Sequence, residues 1–155
     1  MEIVPESSEK VVSGSNLLKI VDAVHEKGAS IRFKAKGYSM TPTIRHNDTI
    51  TISPLPDRDL KQGDLLLFRR DQNSLIAVHR IIKVKGKSYL MRGDNSGETD
   101  GWITDKMIFG MLTGIEREGK KKSVGFGGLL FFYPYIMNIR RNLVRLISRF
   151  KKMSI

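Results

Sequence analysis

The chain has 155 residues, 40% of them hydrophobic, and carries a net charge of +11 without a single cysteine. That length holds one domain with a sizeable core, and the mixed charge pattern is that of a soluble, globular protein. Disulfides and thiolate metal sites are excluded. The three histidines, at positions 25, 46 and 79, lack metal-ligand spacing, so no metal or other cofactor is expected.

The charge is unevenly placed. Residues 120–155 hold nine Lys or Arg and no acid, whereas the first 119 residues hold eighteen basic and sixteen acidic ones. A nearly neutral body is thus followed by a separate polybasic tail. Three regions are expected: an N-terminal arm and helix (1–30), a β domain (31–118) and a basic, apolar C-terminal tail (119–155).

Residues 1–14 are polar and read as a frayed arm. Glu2, Glu6, Glu9 and Lys10 stand where a secretory signal would need its apolar stretch. Ser15 or Asn16 is placed to cap a helix with Leu17, Ile20, Val21 and Val24 on one face, ended by Gly28.

From Ile31 the apolar period changes to two. Residues 31–34, 49–52, 64–68, 75–84, 88–91 and 107–115 read as short strands. Turn-forming clusters separate them, among them Arg45-His46-Asn47-Asp48, Lys61-Gln62-Gly63 and Gly93-Asp94-Asn95. The expected fold is mainly β, a compact antiparallel domain with an N-terminal helix and a C-terminal amphipathic helix.

Three segments carry chemistry. In Gly37-Tyr38-Ser39-Met40-Thr41-Pro42-Thr43-Ile44, Ser39 lies between apolar neighbours at a strand end, two residues after a glycine. Most such serines are merely solvated turn residues. In Ala77-Val78-His79-Arg80-Ile81, His79 sits inside an alternating strand, where a lone histidine is more often structural. Its value is in partnership, because a serine is a weak nucleophile until an adjacent imidazole removes its proton. The turn from Arg92 to Asp100 is rich in acids and reads alone as a calcium-like or solvated turn. A carboxylate from it would hold the histidine tautomer. Asp94, Asp100 and Asp105 all remain open for that role.

Taken in order, Gly-Tyr-Ser-Met-x-Pro-Thr-Ile, Gly63-Asp64-Leu65-Leu66-Leu67-Phe68, Val78-His79-Arg80 and Gly93-Asp94-Asn95 with a following Asp resemble the type I signal peptidase family. The similarity runs from about Ile31 to Ile115. It is greater to the archaeal and endoplasmic-reticulum branch, where histidine replaces the bacterial lysine base. The resemblance implies Ser39 as nucleophile, His79 as base and Asp100 as triad acid, with Met40 and Asp94 as supporting residues. It implies a serine endopeptidase that cuts signal or leader peptides after small residues, and a protein or peptide substrate carrying such a leader.

Two features depart from that family. Many relatives carry a serine two positions before the nucleophile, whose hydroxyl donates to the oxyanion; here the position is Gly37. The family's N-terminal membrane anchor has no counterpart in residues 1–30. Asn47 replaces a usual turn glycine, and Asn tolerates the left-handed conformation needed there. His25 and His46 are expected to be structural or solvated.

Two other readings compete. Self-cleaving repressor peptidases share the fold and a similar Ser-Met box, but they use lysine where His79 stands and carry a DNA-binding domain. A non-enzymatic β module that binds membrane is the second. Nucleic acid is not expected as a partner, since the tail does not interleave aromatic residues with its arginines.

In the tail, residues 124–139 are apolar but broken by Gly125, Gly127, Gly128 and Pro134, short of a bilayer crossing. From Ile136, Ile139, Leu143, Leu146, Ile147 and Phe150 form one helical face, backed by Arg141, Arg145, Arg149 and Lys152. A segment lying in the membrane interface has this pattern. Packing of this apolar face on the β domain is the alternative; the favoured expectation is a peripheral membrane protein, the cytoplasmic side preferred over the other, held on anionic lipid by residues 124–152.

Overall fold

The computed structural model describes residues 14–70 and 75–124. The arm before residue 14 and the amphipathic segment expected from Ile136 lie outside them.

Helix α1 (Gly14–His25) opens the described chain, so Ser15 and Asn16 fall within its first turn instead of capping it. Regular helix is needed by that point to turn Leu17 and Leu18 toward the sheet. Leu18 and Val21 are buried, and Leu17 and Val24 pack beside them. Ile20, expected on this face, is exposed. Val21 lies four and three residues after Leu17 and Leu18, and Val24 three after Val21, whereas Ile20, three after Leu17, falls on the flank of this face. Gly28 ends the helix at φ +67, its N–H bonded to the His25 carbonyl.

Eight strands follow: β1 (Ile31–Lys34), β2 (Thr49–Ser53), β3 (Leu65–Arg69), β4 (Ile76–Lys85), β5 (Ser88–Arg92), β6 (Gly101–Thr104), β7 (Ile108–Arg117) and β8 (Lys120–Lys122). They form one antiparallel sheet in the order β1-β2-β7-β3-β4-β5-β6, with β8 paired to β7. The fold is mainly β, as the period-two pattern indicates. Strands β6 and β8 were not anticipated. Strand β8 carries the sheet past residue 118, where the sequence suggested that the tail begins.

Strand β3 is the spine of the core. Its run of Leu65-Leu66-Leu67-Phe68 is apolar without alternation because both of its faces are covered. Leu65 and Leu67 join a cluster with Leu18, Val21, Ile31, Met40, Ile44, Ile50, Ile52, Leu112 and Ile115. Leu66 and Phe68 join Ile81, Tyr89, Met91, Ile103 and Ile108 on the other side. Each fully buried aliphatic or aromatic side chain stabilises the fold by about 1.5–3 kcal/mol relative to an exposed one. Alternation along β3 therefore knits two half-cores together.

Helix α1 is seated by a close approach. A Cβ at Gly110 of β7 would lie 2.6 Å from His25 Cε1 and 2.7 Å from Ile52 Cγ2. The His25 Nε2 lies 3.3 Å from the Ile52 carbonyl. His25 is thus a packing residue.

Candidate active site

The loop between β1 and β2, residues 35–48, carries Ser39. It leaves β1 through Gly37 at φ +100, a conformation that favours glycine. That demand explains why a serine is missing there: any side chain two residues before Ser39 would strain the turn. The loop returns through Asn47 at φ 68, the left-handed conformation its asparagine was expected to tolerate. Thr41-Pro42 is a cis peptide bond.

Both ends of this loop are tied to other strands. At one end the Asn95 N–H donates to the Ser39 carbonyl at 2.7 Å, and the Asn95 amide donates to the Tyr38 carbonyl at 3.2 Å. At the other, Arg117 of β7 grips Asp48 through Nε at 2.9 Å and Nη2 at 2.7 Å. Arg117 Nη2 also reaches the Pro42 and Thr43 carbonyls. The Arg117 guanidinium holds the Asp48 carboxyl below its ordinary range; burial opposes this, and the Arg45 N–H adds to it.

His79 is delivered by the register of β4 on β3. It pairs with Leu66, so its ring shares the face of Leu66 and Phe68, and the Phe68 ring lies 5.9 Å away, tilted. Only 4% of its side chain is exposed. The ring bridges two partners. Ser39 Oγ–H lies 2.9 Å from Nε2, and Nδ1–H donates to Asp100 Oδ2 at 2.6 Å. Asp100 comes from the turn just before β6, and its N–H donates to the Met91 carbonyl. Ser39, His79 and Asp100, forty and twenty-one positions apart, thus form one hydrogen-bonded chain.

The other two acids have different neighbours. Asp94 is buried against Arg80, which donates Nε to Oδ1 at 2.8 Å and Nη2 to Oδ2 at 2.7 Å, and Thr43 Oγ1 donates to Oδ2 as well. The Asp94 N–H donates to the Met40 sulfur at 3.3 Å. Met40 and Asp94 therefore clamp the serine loop. Asp105, on the 3-10 turn Asp105–Met107, lies beside Tyr89; burial first and the Asp105 carboxylate second push the Tyr89 hydroxyl up.

Gly93 lets these parts meet. A Cβ there would lie 2.6 Å from the Ser39 carbonyl and Ser96 Oγ, and 3.1 Å from His79 Nε2. His46 stacks on Tyr38 at 5.3 Å between centroids and accepts the Gly37 N–H at Nδ1. Tyr38 itself is 67% exposed beside Ser39. The Ser39 N–H has no protein acceptor among the described residues.

One contact was not foreseen. Arg70, just past β3, forms an ion pair with Asp100, its Nε 2.9 Å from Oδ1. In sequence it looks like one more solvated cation beside the turn that follows; only the folding of β3 toward Asp100 exposes its use. Among the described residues, no group of three or more His, Cys, Asp or Glu is arranged to hold a metal.

An antiparallel β domain carrying a serine, a histidine and a carboxylate in hydrogen-bonded series defines a class of hydrolytic proteins. The family model for Peptidase S24-like proteins matches residues 4–111, more than half the chain, and the chain belongs to that family. It is thereby a member of the serine-peptidase superfamily that holds signal peptidases and self-cleaving repressors. A search of curated proteins finds no match to this chain.

Proposed function

We propose that the chain is a serine endopeptidase that cleaves signal or leader peptides, with Ser39 as nucleophile, His79 as general base and Asp100 as the acid that orients it. The unbroken Oγ–Nε2 and Nδ1–Oδ2 contacts carry this reading.

Ser39 Oγ attacks the scissile carbonyl as His79 Nε2 takes its proton. Asp100 stabilises the imidazolium that forms. The carbonyl oxygen becomes an anion facing the Ser39 N–H. Collapse breaks the C–N bond, the imidazolium gives its proton to the leaving amine, and an acyl-Ser39 ester remains. A water then attacks that ester, again losing its proton to His79, which returns it to Ser39. Because Gly37 brings no hydroxyl, one oxyanion donor of many relatives is missing. Such a donor is worth about 2.7–4 kcal/mol of transition-state stabilisation, so a modest rate is expected.

The leader substrate is proposed to lie extended beside the serine loop, and the tail (124–152) to hold the protein on an anionic membrane surface at the cytoplasmic face. The charge of residues 140–152 and the amphipathic pattern from Ile136 support this. No helix among the described residues is long and apolar enough to cross a membrane.

A fluorophosphonate probe and a leader-peptide assay test the proposal together. Labelling and cleavage should both vanish in Ser39→Ala. Equal labelling of that variant refutes the assignment. Family membership also favours a second reading, self-cleavage as in repressors. Cleavage of the chain itself at a rate independent of its concentration, with no action on added peptide, would establish that instead.

A further inference from the structure

We propose that Arg70 is the positioning residue of the triad carboxylate, an inference that rests on the Ser39-His79-Asp100 reading above. Asp100 is nearly buried, and its two oxygens have separate tasks. Oδ2 receives the His79 Nδ1–H, and Oδ1 is paired with the Arg70 guanidinium, 2.9 Å from Nε. With Oδ1 released, the carboxylate would be free to rotate about its last bond and carry Oδ2 away from the imidazole.

Arg70 is well founded for this task. Its own N–H donates to the Leu75 carbonyl at 2.8 Å, so the backbone beneath it is fixed where β3 turns toward β4. Its Nε faces Asp100, and the side chain is 49% exposed. This differs from Arg80, which donates to both oxygens of Asp94.

The test compares kcat, KM and melting temperature of the full-length chain on a leader peptide for the parent, Arg70→Ala, Arg70→Lys and Ser39→Ala. Arg70→Ala should lower kcat by about tenfold through misalignment, with KM and the melting temperature unchanged. Arg70→Lys keeps a cation beside Oδ1 and should restore part of kcat. A kcat for Arg70→Ala equal to the parent's, beside an inactive Ser39→Ala, overturns the Arg70 assignment and leaves the peptidase standing. A lowered kcat accompanied by a reduced melting temperature makes Arg70 a structural residue and overturns it too. Full activity in Ser39→Ala removes the triad and the role of Arg70 with it.

Discussion

Asp94 and Asp100 are six residues apart in one turn, both nearly buried, each facing an arginine, yet their surroundings set them to different tasks. Asp94 has both oxygens filled by Arg80 and a further donor in Thr43. It is a closed ion pair and holds the serine loop. Asp100 gives one oxygen to Arg70 and keeps the other for an imidazole. Burial and charge alone do not distinguish a structural carboxylate from a chemical one; how its lone pairs are allotted does.

The difference is open to direct attack. On the proposed mechanism, Asp100→Asn keeps the shape but disturbs the tautomer, and kcat should fall by about 10³–10⁴ with little change in the melting curve. A drop below tenfold would return Asp100 to the status of its neighbour. Asp94→Ala should act the other way. It leaves the buried Arg80 without its partner, so urea denaturation should show a loss of about 3–5 kcal/mol. A stable but inactive Asp94→Ala protein would reverse the two roles.

A smaller effect concerns the second clamp on the serine loop. The Asp48 carboxyl is lowered in the folded state by Arg117, so this pair stabilises the fold fully above the unfolded carboxylate value of about 3.9. The contribution is lost as pH falls through the lower folded value. In Arg117→Gln, acid unfolding followed by circular dichroism should begin at higher pH, and stability at neutral pH should fall by about 1.5–3 kcal/mol. An unchanged acid transition would mean that the Arg117 contacts add nothing to the clamp.

Much of this was legible before folding, for particular reasons. Strands with a clear apolar period, such as β2 and β7, declare themselves. Strand β6 hid in a stretch that reads as an acidic turn, because Gly101 to Thr104 offers only Ile103 to the core. Strand β8 is three exposed lysines, joined to β7 through its backbone alone, and carries no side-chain pattern. For the site, Ser39 and His79 sit in recognisable motifs. The choice among three acids depended on which loop end meets β4, a question of sheet register that spacing does not answer. Arg70 had no local signature at all.

The order of strands also has a consequence in time. Ser39 hangs between β1 and β2, while His79 and Asp100 belong to the β3–β6 half of the sheet. The strand that joins the halves is β7, which pairs with β2 on one edge and β3 on the other. As the chain emerges from a ribosome, nucleophile and base both appear well before that bridge. The two halves have no shared sheet until residues 108–117 are out, so on the proposed mechanism the triad comes together only after that bridge has formed.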